Sequence, residues 1–210
     1  PLPNTKTDVT AQISRNHSIE LIPPSDTNKF PIYNLIGGKW TTFRAFSEKA
    51  ANEILTCLNL SRRTDTYDIS IGGGKQFPNS ENARDNWFCK MENKTGLPLN
   101  KLETLLERYG TEAEAVASFM VKDNDQPLDF HTEYTYREIM YLVHNEYVVH
   151  LDDLILRRTT IALKGELTYS LLKEIGSIVR KLNNWSENAL AKEINRTVEI
   201  LRHKHNLKLK

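Results

Sequence analysis

The sequence predicts an α+β chain that is mainly helical, with two short strands and a helix followed by an all-helical domain. Three observations predict this class: two short apolar runs end at proline or glycine clusters, helical spacing of apolar residues follows the second run, and helical periodicity continues from Leu97 almost to the carboxyl end. The predicted organisation is therefore residues 1–58, a connecting segment at 59–96, and a helical domain at 97–210.

Two strands and a helix are predicted near the amino terminus. The first strand, Ser18–Ile22, ends at Pro23 and Pro24, because proline fixes φ and removes a backbone donor. The segment at residues 31–36 is short and mostly apolar, which predicts a second strand buried on both faces. Two glycines end that strand, and a helix is predicted from Thr41 onward.

Capping signals divide the helical domain. Gly110 predicts a left-handed stop after a helix at 99–109, and Ser186 predicts the start of the last helix. Further helices are expected at 151–158 and 168–182 from the spacing of their apolar residues. The pairs that match a capping box are Thr111 with Glu114 and Thr135 with Glu138.

Composition limits the classes of function. The chain has 210 residues, and its 28 lysines and arginines nearly balance its 27 aspartates and glutamates, so no nucleic-acid partner is predicted. No apolar run approaches the ~20 residues that span a bilayer. The two cysteines, Cys57 and Cys89, lie in no CxxC pair, and no metal site is predicted.

The segment with the strongest chemical signal is the junction at residues 35–44. A strand that ends in two glycines and leads into a helix exposes amide hydrogens and the positive end of a helix dipole. Lys39 adds a positive charge there, and Thr41 and Thr42 add hydroxyls. Two interpretations remain open: an anion or cofactor site, or an ordinary glycine turn with a surface lysine. The spacing of a phosphate-binding P-loop is absent, both here and at the glycine triplet 72–74.

The same junction resembles a family signature. Residues 37–44, Gly-Gly-Lys-Trp-Thr-Thr-Phe-Arg, resemble the GGK[WL]TT[YF]R element of FAD-dependent glycerol-3-phosphate dehydrogenases, and Ser14-Arg15-Asn16-His17 resembles the element that precedes it. Phe43 replaces the commoner tyrosine. Four later stretches resemble further elements of the family pattern, in the same order. They are Arg108-Tyr109-Gly110-Thr111-Glu112-Ala113, the stretch from Glu138 to Glu146, Asp152-Asp153-Leu154 and Arg157-Arg158-Thr159.

The resemblance implies a reaction and roles for residues. FAD would accept hydride from sn-glycerol 3-phosphate, giving dihydroxyacetone phosphate, and quinone would accept the electrons. It implies Arg15 and Lys39 as catalytic residues, because a guanidinium suits phosphate and an ammonium would stabilise negative charge on the flavin or the forming carbonyl. His17 joins Arg15 as a substrate-binding candidate. The cofactor-binding candidates are Gly37, Gly38, Lys39, Trp40, Thr41 and Thr42.

A departure from the family limits these implications. The GxGxxG turn that holds the pyrophosphate of a Rossmann-type flavin domain is absent, and the chain begins at Pro1. We therefore expect residues 1–58 to be the end of a flavin and substrate domain whose amino-terminal part is a partner, and we expect this chain alone to hold no FAD and to be inactive. The resemblance further implies a cytoplasmic protein peripheral to the inner membrane, and it leaves open a homodimer and peripheral membrane contact.

Two alternatives belong to other classes. The chain could be a helical interaction module without redox activity, in which the glycine–lysine turn is incidental. It could also be part of a related FAD-dependent oxidoreductase that acts on another small anionic substrate. The motifs that follow the family's order favour the dehydrogenase over the first alternative, and two cations at one site favour an anionic substrate such as a phosphate ester.

Overall fold

The computed structural model describes residues 16–37 and 39–209. The chain folds as two compact units, one that runs to Ile69 and one that begins at Ser70. The division lies inside the segment at 59–96 that was predicted to connect two domains. The later part of that segment forms a long helix of the second unit.

The first unit contains the two predicted strands and the predicted helix, and the strands pair as a hairpin. Strand β1 (Ser18–Ile22) pairs antiparallel with β2 (Ile32–Ile36), so that Ser18 lies opposite Ile36. A 3-10 turn at Trp40–Thr42 leads directly into α1 (Phe43–Cys57), because Gly37 ends the strand and no proline interrupts the segment that follows.

The expectation that β2 is buried on both faces is wrong for this chain. Leu35 is 42% exposed and Ile32 is also exposed, whereas Ile36 is buried. In the described part of the first unit β2 pairs only with β1, and the side chains of Ile32 and Leu35 remain open to solvent.

Two arginines fasten the loop that follows α1. Arg62 donates from Nε to Asn52 Oδ1 at 2.7 Å and from Nη2 to the Glu48 carbonyl at 3.0 Å. Arg44 donates from Nη1 to the Ile69 carbonyl at 2.5 Å and also to the Thr66 carbonyl. The arginine at the end of the glycine–lysine motif therefore holds the loop in place.

The second unit is almost wholly helical. Its long helices are α2 (Glu81–Thr95), α3 (Leu99–Tyr109), α4 (Ala113–Met120), α5 (Tyr136–Asn145), α7 (Tyr169–Leu182) and α8 (Glu187–His205). A small hairpin of β3 (Pro127–Leu128) and β4 (His131–Thr135) precedes α5. Between α5 and α7 lies the predicted helix 151–158, which consists of α6 (Leu151–Asp153) and a π-helix (Leu154–Arg158). The predicted fold class, mainly α with a short strand–strand–helix segment, is confirmed.

Two groups of buried side chains form the core of the second unit. The smaller group lies among α2, α3 and α4, and the larger group lies among α5 to α8. Tyr109 at the end of α3 packs against both groups. Buried apolar side chains contribute ~1.5–3 kcal/mol each, so these groups provide the main stabilisation of the unit. No described helix has the length and apolar character needed to cross a bilayer.

Local capping signals explain where most of these helices begin. The hydroxyls of Thr135, Thr168 and Ser186 accept hydrogen bonds from the third backbone N–H of their helices. The predicted capping box at Thr111 is wrong, because its hydroxyl donates to the Lys75 carbonyl at 2.9 Å and makes no helix cap. The Thr135 cap is present, but the Glu138 carboxylate, which was expected to complete the capping box, binds other side chains.

Gly110 ends α3 through a close approach of two backbones. Its φ of +57° and ψ of −139° lie outside the left-handed helical conformation that was predicted, yet they still favour glycine. The next amide, of Thr111, donates to the Gly73 carbonyl at 2.9 Å. A Cβ on Gly110 would lie 2.2 Å from that same oxygen, so glycine is required on steric grounds as well. The glycine triplet 72–74 is thereby held against the end of α3.

Candidate functional site

The glycine–lysine turn of the first unit lies between β2 and α1. Gly37 has φ +74°, a conformation that favours glycine, and Lys39 returns to extended backbone with φ −100° and ψ 153°. The sequence folds this way because Gly37 permits the reversal and the following residues begin a helix. Gly38 lies outside the described residues.

Thr42 closes the turn through its hydroxyl. Thr42 Oγ1 accepts from the Lys39 backbone N–H at 3.2 Å and donates to the Lys39 carbonyl at 3.0 Å. Because the hydroxyl has one hydrogen, that hydrogen is committed within the chain. Thr42 therefore fixes the turn's shape, and its hydroxyl has lone pairs but no proton to offer to a ligand.

The side chains at the turn are open to solvent in this chain. Lys39 and Thr41 are exposed, and Trp40 is 94% exposed. An indole group with nearly all of its surface in water is unusual for a soluble protein and typical of a surface that contacts a partner or ligand. The turn thus presents an ammonium group and an aromatic ring to solvent.

His17 packs on α1 from the start of the hairpin. Its ring centroid lies 4.4 Å from that of Phe46, with an angle of 32° between the planes. Arg15, two residues earlier in the chain, lies outside the described residues. The predicted closeness of Arg15 and Lys39 therefore stays a prediction.

The chemistry of these residues is that of a site for an anionic or planar group. Helix amides and a lysine ammonium favour negative charge, and the glycine backbone permits a planar group to approach closely. Gly37, Lys39, Trp40 and Thr41 are the described residues that would hold such a group. Among the described residues, no cluster of histidine, cysteine or carboxylate side chains has an arrangement that would hold a metal ion.

Three residues of the later motifs meet inside the second unit. The Glu138 carboxylate is fully buried and accepts hydrogen bonds from Arg108 Nη1 at 3.0 Å, Tyr109 Oη at 2.8 Å and Lys101 Nζ at 3.1 Å. Burial, followed by the charge of Glu138, raises the pKa of Tyr109 well above its usual value. This group joins α3 to α5. No local pattern in the sequence predicts the pairing of Arg108 with Glu138, which lie 30 residues apart.

Comparisons with known proteins agree with the family motifs in the sequence. A probable glycerol-3-phosphate dehydrogenase of Encephalitozoon cuniculi is 25% identical over 88% of this chain and 28% of its own length, and the mitochondrial one of Dictyostelium discoideum is 26% identical over 92% and 29%. The aerobic glycerol-3-phosphate dehydrogenase of Escherichia coli is 26% identical over 76% of this chain and 31% of its own length. This chain thus spans less than a third of the length of these relatives.

A solved structure shows the same fold. The crystal structure of glycerol-3-phosphate dehydrogenase from Bacillus halodurans, complexed with FAD, matches 87% of this chain and 37% of its own with a TM-score of 0.67 and 18% identity. The predicted resemblance to the carboxyl-terminal part of these dehydrogenases is confirmed.

The family model that matches is described as the C-terminal domain of alpha-glycerophosphate oxidase. It covers residues 64–190, which is most of the second unit and more than half of the chain. The glycine–lysine turn lies outside this region, so the roles of its residues are separate proposals. The chain belongs to the family of C-terminal domains of alpha-glycerophosphate oxidase.

Proposed function

We propose that this chain is the carboxyl-terminal part of an FAD-dependent glycerol-3-phosphate dehydrogenase. The observation that carries the proposal is the exposed Lys39 at a positive-φ glycine turn that opens a helix, in a chain of this family. The site favours an anionic, planar group. The substrate is sn-glycerol 3-phosphate, the product is dihydroxyacetone phosphate, and quinone receives the electrons.

The residues of the first unit have distinct roles in this proposal. FAD, when bound, supplies the ring that accepts hydride from the secondary carbon of the substrate. Lys39 places its ammonium group near that ring and near the substrate oxygen, where it stabilises negative charge. Arg15 binds the substrate phosphate through its planar fork. His17, whose ring packs on that of Phe46, binds the substrate together with Arg15.

The activity belongs to a longer protein that contains this chain. The relatives are more than three times as long as the matched region, which supports a partner segment that holds the rest of the flavin and the catalytic base. We propose that the 210 residues alone hold no FAD and are inactive. We also propose that the second unit stabilises the assembled enzyme on the cytoplasmic side of the inner membrane, where quinone is available.

The nearest alternative is an FAD-dependent oxidoreductase for a different small anion. A phosphate requirement separates the two. The longer protein, purified with its flavin and kept without oxygen, is mixed with glycerol 3-phosphate or with glycerol. We expect glycerol 3-phosphate to bleach the flavin rapidly and glycerol to leave it oxidised. Equal bleaching by both compounds, or bleaching only by an unrelated hydroxy acid, would refute the substrate assignment.

Arg15 gives the matched variant for the same experiment. Arg15→Ala should raise the concentration of glycerol 3-phosphate that gives half the maximal bleaching rate by about a hundredfold, because a charge-assisted, two-point contact with phosphate is lost. Lys29→Ala, which changes an exposed lysine of the same unit, should leave that concentration unchanged. An unaltered concentration dependence in Arg15→Ala removes the proposed role of Arg15.

A further inference from the structure

The second unit contains a cleft whose lining includes none of the residues assigned to the glycine–lysine turn. Its volume is about 530 Å³, and it lies among the end of α3, β4, the π-helix and the loop that follows that helix. Residues of two family motifs line it: Arg108 with Tyr109, and Arg157-Arg158 with Thr159. These motifs are far apart in the chain, and the fold brings them to one surface.

The lining of the cleft is rich in positive charge. Four cationic side chains, Arg108, Arg157, Arg158 and Lys164, line it, against two carboxylates, those of Glu107 and Glu133. The hydroxyl-bearing residues of the lining are Thr104, Thr159, Thr160, Tyr109 and Tyr134. Clustered cations beside hydroxyl donors favour a small anion.

Glu133 occupies the position that such an anion would take. Its Oε2 lies 2.9 Å from Arg108 Nη2 and 3.3 Å from Lys164 Nζ, so one carboxylate oxygen bridges a guanidinium and an ammonium. The hydrogen bond from Lys164, followed by the nearby charges, lowers the pKa of Glu133. The Glu133 side chain is 50% exposed, so it is able to leave.

Arg108 is held rigidly in the wall of the cleft. Its Nη1 donates to the buried Glu138, and its Cζ lies 3.7 Å from the centroid of the Tyr134 ring. The Tyr134 hydroxyl in turn accepts from the Thr160 amide at 3.1 Å. A guanidinium fixed by groups behind it loses little conformational freedom when an anion binds in front of it.

The other two arginines come from an unusual helical turn. Arg157 and Arg158 end the π-helix Leu154–Arg158, a rare form that often occurs at functional sites. Arg157 donates from Nη1 to Asp153 at 2.8 Å, and Arg158 donates from Nε to the Glu146 carbonyl at 2.7 Å. Because a guanidinium has five donor hydrogens, each keeps donors for a further acceptor.

We propose that this cleft binds a phosphate group, as inorganic phosphate or a phosphate monoester, which displaces the Glu133 carboxylate from Arg108 and Lys164. A phosphate dianion carries more charge than a carboxylate and has three strong acceptor oxygens, so it binds these cations more strongly than Glu133 does. A monocarboxylate has the same charge as Glu133 and gains no such advantage. Every residue that lines the cleft belongs to the second unit.

The test is a titration of the 210-residue chain with inorganic phosphate by calorimetry at low salt. Lys164→Ala should weaken binding about tenfold, because one charge-assisted contact is lost. Glu133→Gln should strengthen binding by about tenfold, because the competing internal carboxylate is neutralised. Lys122→Ala, which changes an exposed lysine outside the cleft, should leave the affinity unchanged.

The two variants are predicted to change affinity in opposite directions, which a general loss of folding does not do. A phosphorylated lipid is the other source of the same group, so vesicles of phosphatidylcholine with and without phosphatidic acid form a second arm. Sedimentation only with phosphatidic acid, weakened by Lys164→Ala, would assign the site to a lipid headgroup. No binding in either arm, or binding that both variants leave unchanged, overturns the proposal.

Discussion

Glu138 on α5 binds Arg108 on α3 through a hydrogen bond of 3.0 Å in the interior of the second unit. The same carboxylate also binds Tyr109 and Lys101. One buried acid therefore holds three side chains of α3, and it fixes the arginine that forms a wall of the proposed phosphate cleft.

Removing this carboxylate should destabilise the chain strongly. Glu138→Ala leaves the guanidinium of Arg108 without its buried partner, and breaking a buried ion pair in this way costs about 3–5 kcal/mol. The measurement is the free energy of unfolding in urea. Glu103→Ala, on an exposed position of α3, should change it by less than about 0.5 kcal/mol. If the two variants unfold alike, Glu138 does not hold α3 to α5.

Tyr109 should make stability depend on alkaline pH. Burial and the Glu138 charge raise its folded pKa above the ordinary 10.0, so the unfolded chain loses the phenolic proton first. Its contribution is complete below about pH 10 and is lost as the pH rises above that value. Urea unfolding at about pH 8 and about pH 11 should show a smaller loss of stability in Tyr109→Phe than in the unaltered chain. An identical loss would contradict this role.

Three glycines should respond differently to alanine. A Cβ on Gly73 or Gly110 would lie 2.2 Å from a backbone oxygen, and both residues have positive φ, so each substitution should cost more than about 2 kcal/mol. Gly72 has open space around it and ordinary φ, so Gly72→Ala should be neutral or stabilise by up to about 1 kcal/mol. Thermal unfolding of the three variants checks this order. Equal effects at Gly72 and Gly110 would show that the backbones do not touch.

Arg44 should keep the loop after α1 closed. Its guanidinium binds the Thr66 and Ile69 carbonyls, and the Ile69 amide donates to the Thr66 carbonyl. In Arg44→Ala, the Ile69 amide should exchange its hydrogen about tenfold faster. The reason is that the free energy of local opening falls by about the net contribution of one hydrogen bond. Arg63→Ala, at an exposed position of the same loop, is the control. Unchanged exchange at Ile69 would exclude this role for Arg44.

Features set by neighbouring residues were predictable from the sequence. The cap at Ser186 and the helix after it depend on a hydroxyl and an amide three residues apart, and the hairpin depends on proline and glycine at its ends. The turn at Gly37 was predictable for the same reason, since its conformation follows from one residue type.

Features set by distant partners were not predictable. The residues around Thr111 are typical of a helix cap, but the Thr111 hydroxyl donates to the carbonyl of Lys75, 36 residues earlier. Glu138 matched a capping box, but its partners come from α3. The cleft depends on the same kind of convergence, because nothing local in Arg157 or Arg158 indicates that Arg108 lies on the same surface.

The most direct test of the proposed function is the rate at which glycerol 3-phosphate bleaches the flavin of the longer protein when Lys39 is replaced. Lys39→Ala should slow bleaching by about a hundredfold, because a cation that stabilises developing negative charge is lost, and Lys39→Arg should restore part of the rate. Lys29→Ala, a control on the same unit, should bleach at the unaltered rate. A Lys39→Ala protein that holds its flavin and bleaches as fast as the control would contradict the assignment of the glycine–lysine turn to the flavin site.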